Sequence, residues 1–118
     1  MTDDALDPGA LDALTKMLGS DPEFVREMID AFVEEVPARL AEVGQGIDAS
    51  DAGLAGRAAH TLKSNALTFG AFAMAEIARQ METAARAGDL SAAGALLPAL
   101  ERAWEIAQPL LCEVGETA

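Results

Sequence analysis

Apolar residues recur every three to four positions along most of this chain, which is the period of an amphipathic helix. The clearest stripe follows the helix-start signal DPE at residues 21–23. It continues past Pro37, so we predict one bent helix, ended by Gly44 and Gly46, rather than two helices. Its predicted inward positions are Phe24, Met28, Ala31 or Phe32, Val36, Leu40 and Val43.

The same period predicts four more helices. A short one begins at the DP pair of residues 7–8 and ends before Gly19. The others run from residue 51 or 52 to about 68, over 71–87, and from residue 89 or 91 towards 109. Predicted inward positions are Leu11, Leu14 and Leu18; Leu54, Ala58, Leu62, Ala66 and Phe69; Phe72, Ala75, Ile77 or Ala78, Met81 and Ala85; and Leu97, Leu100, Trp104 and Leu111.

Four long helices joined by short loops predict an all-α fold. We expect an antiparallel up-down-up-down four-helix bundle in which the short N-terminal helix forms a cap. The length of 118 residues suits a single domain over 1–118, with a core from about 7 to 111. Apolar residues make up 51% of the chain but aromatic residues only 4%, a composition that favours helices over sheets.

Net charge and composition limit the kinds of partner that this protein is expected to bind. The formal net charge of −12 argues against binding to nucleic acid, whose phosphates such a surface would repel. The single cysteine, Cys112, allows no internal disulfide and indicates a reducing compartment. No apolar run approaches the length of a membrane span. We therefore expect a cytoplasmic protein that binds neither nucleic acid nor membrane.

The one histidine of the chain, His60, lies in an unusual setting. Its neighbours at helical spacing are Gly56, Arg57, Lys63 and Ser64, of which two are small and two are cationic. The apolar stripe of this helix leaves His60 on the side that faces solvent. The pattern predicts an exposed imidazole inside a small positive island, beside which an anionic group is expected.

The next helix should bring a polar side chain to this histidine. A hairpin that turns at Gly70 places residues whose numbers sum to about 140 at the same level. Arg79, Gln80 and Glu82 are therefore candidates to lie near His60, and one of them would orient a ring nitrogen. The spacing leaves open which one does so.

The segment around His60 also admits other interpretations. A single helical histidine is more often a bystander than a reactive group, and single surface cations are more often solvated than ligand-binding. A metal-dependent bundle enzyme needs several Glu and His ligands, including Glu-x-x-His pairs, but the residue three before His60 is Arg57. We predict no metal site.

The run HTLKSNALTFGA at residues 60–71 resembles the signature of histidine-containing phosphotransfer (HPt) domains. That signature runs His, any residue, Leu, Lys, a small residue, several small or polar residues, an apolar residue, Gly and a small residue. The segments DPEFVREMIDAFVEEVPARL at 21–40 and ARQMETAARAGDL at 78–90 also resemble the family. The resemblance covers nearly the whole chain, and it too implies a four-helix bundle.

The resemblance implies roles for particular residues. His60 would be the phosphoacceptor, and Lys63 would stabilise the phosphoryl group. Ser64 stands where the family often has glycine, and it keeps that position small. We expect Arg57, Gly56, Ser64 and Gln80 to contact the phosphoryl group or the partner. Some members place a Gln on the neighbouring helix against the histidine, a place for which Gln80 and Glu82 are both candidates.

The resemblance also implies the kind of reaction. The expected partners are sensor histidine kinases and the receiver domains of response regulators, between which the chain would relay a phosphoryl group. It would be a covalent carrier rather than an enzyme with an ATP site of its own. It would need no cofactor, because Mg²⁺ is expected only on the partner receiver domain. The alternative is a helical adaptor that binds these partners without being phosphorylated.

Overall fold

Five helices make up the fold in the computed structural model, which describes residues 6–17, 19 and 21–117. The four long helices pack in a closed ring in chain order, and the short first helix contacts the second and third. The predicted all-α bundle with a short N-terminal helix is confirmed. The helices are α1 (Pro8–Met17), α2 (Pro22–Asp48), α3 (Ala52–Thr68), α4 (Phe72–Arg86) and α5 (Leu90–Thr117).

Aspartates define where four of the helices begin. The Asp21 carboxylate accepts the backbone N–H of Glu23 at 2.9 Å, and the Asp51 carboxylate accepts that of Leu54 at 3.0 Å. The side chains of Asp7 and Asp89 do the same at the starts of α1 and α5. Such caps satisfy N–H groups that have no partner inside the helix, at about 1 kcal/mol each. This is why the helix starts were readable from the sequence.

Helix α2 is one helix with Pro37 inside it, as predicted, but its predicted end was wrong. It continues through Gly44 and Gly46 to Asp48, and the chain turns at Ser50, whose φ is +56°. Gly46 is buried where α2 meets the start of α3. A Cβ at this position would lie 2.7 Å from the Ala55 nitrogen, so the glycine permits close contact of two helices rather than ending one.

Two aromatic residues predicted to face inward are instead on the surface. Phe24 is 56% exposed and Phe72 is 48% exposed. Ala31 is exposed as well, whereas Val25, Ile29 and Met74 are buried. Successive residues of a helix are about 100° apart around its axis. When Phe32 faces inward, Val25 and Ile29 lie on the same face, whereas Phe24 points away from it. Because apolar residues stand in adjacent pairs in the sequence, either rotation of the helix about its axis would turn an apolar stripe inward. The predicted position Leu18 lies outside the described residues.

The end of the bundle next to α1 is tied together by an aromatic cluster and a turn. The rings of Phe32 and Phe69 meet edge to face at 4.6 Å, and Trp104 lies 6.3 Å from Phe69. The α3–α4 turn uses Gly70 at φ +78°, where a Cβ would come within 2.9 Å of the Asp7 nitrogen. The Asp7 N–H donates to the Gly70 carbonyl at 2.8 Å. These contacts join the α3–α4 turn to Asp7 before α1 and to helices α2 and α5.

Gly46→Ala and Gly44→Ala form a matched pair within α2. The first should destabilise the fold by about 1–3 kcal/mol because its methyl group meets backbone atoms. The second should stabilise it by about 0.5–1 kcal/mol, because a Cβ there meets nothing within 4 Å and alanine favours helix. Urea unfolding of both variants measures the difference. Equal stability of the two would contradict the close contact at Gly46.

Candidate functional site

His60 projects from the outer face of α3. Its side chain is 52% exposed, which confirms the predicted orientation towards solvent, while the buried face of this helix is formed by residues such as Ala58 and Leu62. The imidazole is nevertheless held in place. Its Nδ1 lies 2.9 Å from Oε2 of Glu82, which projects from α4 at the same level.

The Glu82 carboxylate is the centre of the site. Its side chain is only 9% exposed, and both of its oxygens are used. Oε1 accepts a hydrogen bond from Nζ of Lys63 at 2.8 Å. Oε2, besides its contact with His60, lies 2.6 Å from a guanidinium nitrogen of Arg86, one turn along α4. One carboxylate therefore links a histidine and a lysine of α3 to an arginine of α4.

The surroundings keep this carboxylate ionised. Burial by itself would raise the pKa of Glu82, but the hydrogen bonds from Lys63 and His60, with the charges of Lys63 and Arg86, outweigh it. The net effect is to lower the pKa below the ordinary value. At neutral pH Glu82 is thus an anion that can only accept hydrogen bonds.

This charge state determines the tautomer of His60. An ionised carboxylate has no proton to give, so the short contact requires that Nδ1–H donates to Oε2. In the neutral imidazole the lone pair then resides on Nε2, on the side of the ring away from Glu82. The site presents an exposed nitrogen nucleophile whose other nitrogen is fixed by a buried anion.

The two other candidates on α4 do not reach the histidine. Arg79 makes a two-pronged ion pair with Glu76, at 2.8 and 2.6 Å, and the Gln80 amide lies 3.4 Å from the same carboxylate. The hydrogen bonds from Arg79 and then Gln80 lower the pKa of Glu76 to about 2. Of the three candidates left open by the sequence, the place opposite His60 belongs to Glu82.

The remaining predicted residues lie around the histidine, and the hydrogen bond of its Nδ1 goes to none of them but to Glu82. Ser64 is exposed one turn after His60. Gly56 is buried beside α4, where an added Cβ would be 3.7 Å from the Ala85 methyl group. The Arg57 guanidinium extends towards Gly53, in the direction along α3 that leads away from His60. Arg57 and Gly56 line a shallow groove of about 310 Å³ with Ala52, Gly53, Ala85 and Arg86.

Arg86 is a site residue that the sequence analysis missed. It was given no role in the sequence analysis, yet its side chain pairs with the carboxylate that holds His60. The available signal was its spacing, since Glu82 and Arg86 are four residues apart on one helix face. That signal carries weight only once Glu82 is known to face the histidine.

No group of three or more His, Cys, Asp or Glu side chains within residues 6–17, 19 and 21–117 is arranged to hold a metal ion. No helix in this part of the chain is long and apolar enough to cross a membrane.

Comparison with known proteins identifies the family. The family model described as the Hpt domain matches residues 27–108, and the chain belongs to that family. Its fold is similar to the crystal structure of histidine-containing phosphotransfer protein B (HptB) from Pseudomonas aeruginosa PAO1. The TM-score is 0.87 at 27% sequence identity, with 97% of this chain and 96% of the other covered. A search of curated proteins found no significant match. The chain is a histidine phosphotransfer protein.

The ion pairs of Glu82 should make stability depend on pH. Because its pKa is lowered in the folded state, its contribution is fully present above the unfolded pKa of about 4.3 and is lost as the pH falls through the folded pKa. Glu82→Gln should therefore cost about 1–3 kcal/mol at pH 5 and progressively less towards pH 3. Urea unfolding across this range measures the difference.

Glu101→Gln is the matched control, because Glu101 is exposed on α5, away from this cluster. Its effect on the free energy of unfolding should stay small throughout. A Glu82→Gln effect that does not shrink on acidification would contradict the ion pairs described for Glu82.

Proposed function

We propose that this chain relays a phosphoryl group between the receiver domain of a hybrid sensor histidine kinase and the receiver domain of a response regulator, with His60 as the covalent intermediate. The observation that carries the proposal is the exposed imidazole whose Nδ1 is held by buried Glu82. That arrangement leaves the Nε2 lone pair free for a phosphorus atom brought by a partner. The relay would take place in the cytoplasm.

The transfer steps follow from this tautomer. Nε2 attacks the phosphorus of an aspartyl phosphate on the donor receiver; the P–N bond forms, the P–O bond breaks, and the aspartate leaves as a carboxylate. Nδ1 keeps its proton throughout and continues to donate it to Glu82. In the second step an aspartate carboxylate of the acceptor receiver attacks phosphorus and Nε2 departs with its electron pair.

Both proteins would contribute groups that neutralise the negative charge of the phosphoryl group. On this chain Lys63 is the cation next to His60, and it would stabilise the phosphoryl oxygens. Ser64 and Gly56 are small enough to let a partner approach, and Arg57 adds positive charge to that surface. Mg²⁺ and the acceptor aspartate would come from the receiver domain, which completes the active site on docking. No cofactor or ATP site of its own is required.

The adaptor alternative assigns no chemistry to His60. A buried or sterically blocked histidine would favour it, whereas this side chain is half exposed. No contact described above favours the adaptor over the carrier. The two functions are separated by whether the chain becomes covalently phosphorylated when it meets a charged receiver.

His60→Gln should abolish phosphoryl acceptance and leave the fold intact, because the side chain is exposed and makes one hydrogen bond. The test incubates each protein with labelled ATP and a panel of hybrid kinases with their receivers. Wild-type protein should gain a label that is labile in acid and stable in base, only when a kinase is present. Since His60 is the only histidine, one substitution decides the position.

Lys63→Ala should slow the same transfer by about tenfold or more without ending it. Lys16→Ala is the matched control, because Lys16 is the other lysine of the chain and lies on α1.

Undiminished labelling of His60→Gln would overturn the proposed function. Binding to receivers with no label on the wild-type protein across the panel would favour the adaptor.

A further inference from the structure

Lys63 is already engaged before any phosphoryl group arrives. Its ammonium group crosses from α3 to α4 and donates to Oε1 of Glu82 at 2.8 Å, and its side chain is only 26% exposed. In the proposed function, the same ammonium group also stabilises a phosphoryl group on His60. One cation is therefore shared by two anions, of which one is permanent and one is transient.

We propose that Glu82 sets how readily phosphorylated His60 gives up its phosphoryl group, by competing with that group for Lys63. The inference rests on the proposed function and deepens it. In the unphosphorylated protein the Glu82–Lys63 ion pair is complete. In the phosphorylated protein the ammonium must divide its donors between the carboxylate and the phosphoryl oxygens. Phosphorylation therefore weakens an existing interaction, and this raises the free energy of the phosphorylated form.

Charge around the site supports this competition. The phosphoryl group adds up to two negative charges on the other side of the imidazole ring from the carboxylate. Of the cations on α4, Arg86 contacts Oε2 and lies beside Gly56, one turn of α3 before His60, and Arg79 is occupied by Glu76. The guanidinium of Arg57 extends away from His60. Lys63 is thus the cation that both anions can reach.

Replacing the Glu82 carboxylate with a neutral amide separates the competition for Lys63 from the positioning of the His60 ring. In Glu82→Gln the amide oxygen still accepts the Nδ1 proton of His60, so the tautomer and the ring orientation are retained. The negative charge that holds Lys63 is lost. The ammonium is then free for the phosphoryl group, and the phosphorylated form becomes more stable relative to the unphosphorylated one.

The test uses phosphoramidate, a small-molecule donor, so that no kinase or receiver takes part. Nε2 of His60 attacks the phosphorus, the P–N bond of phosphoramidate breaks, and the leaving amine takes a proton and departs as ammonia. At fixed phosphoramidate and ammonia concentrations, intact-protein mass spectrometry gives the ratio of phosphorylated to unphosphorylated protein. Four proteins are compared: wild type, Glu82→Gln, Lys63→Ala and the double variant.

Glu82→Gln should raise the ratio about tenfold over wild type, the size of one charge-assisted hydrogen bond released in a partly exposed site. In the Lys63→Ala background the same substitution should change the ratio by less than about twofold, because the contested cation is absent. Glu76→Gln is the matched control on α4, since its carboxylate contacts Arg79 and not Lys63. It should leave the ratio unchanged.

A Glu82→Gln ratio equal to or below that of wild type would overturn the inference, and so would an equal rise in both backgrounds. Failure of the proposed function has a different signature. Wild-type protein would then be phosphorylated by phosphoramidate and show the coupling between positions 63 and 82, yet exchange no phosphoryl group with any receiver.

Discussion

The contact between α3 and α4 is organised around a carboxylate that is almost fully removed from solvent and yet remains ionised. Glu82 can be buried because His60, Lys63 and Arg86 all converge on it. The same three contacts hold the imidazole, fix its proton on Nδ1 and restrain the ammonium group beside it. The ion pairing between the two helices and the tautomer of His60 therefore depend on one group.

The charge pattern of the chain fits this arrangement. The protein carries a formal charge of −12, yet α3 contains no acidic residue. The anion that His60 needs comes from the neighbouring helix and is buried rather than displayed. The outer face of the site is left with an imidazole, small side chains and cations, which suits an incoming phosphoryl group better than the remaining acidic surface does.

Local signals made much of this predictable from sequence. Aspartate caps marked the helix starts, and the apolar stripe of α3 indicated that His60 is exposed. The errors have one physical origin: local spacing does not fix how a helix is rotated against its neighbours. Phe24 and Phe72 were assigned to the wrong face of their helices. Gly46 was interpreted as a helix end. The choice between Gln80 and Glu82 stayed open until the structure placed α3 and α4 side by side.

The most direct measurement on the central claim is the ¹⁵N NMR spectrum of the single histidine at neutral pH. An imidazole held by Glu82 should have its proton on Nδ1 and its lone pair on Nε2, and this preference should weaken in Glu82→Ala. After phosphorylation, the phosphorus coupling should appear on Nε2. A proton on Nε2 of the unphosphorylated protein, or phosphorus on Nδ1, would contradict the account.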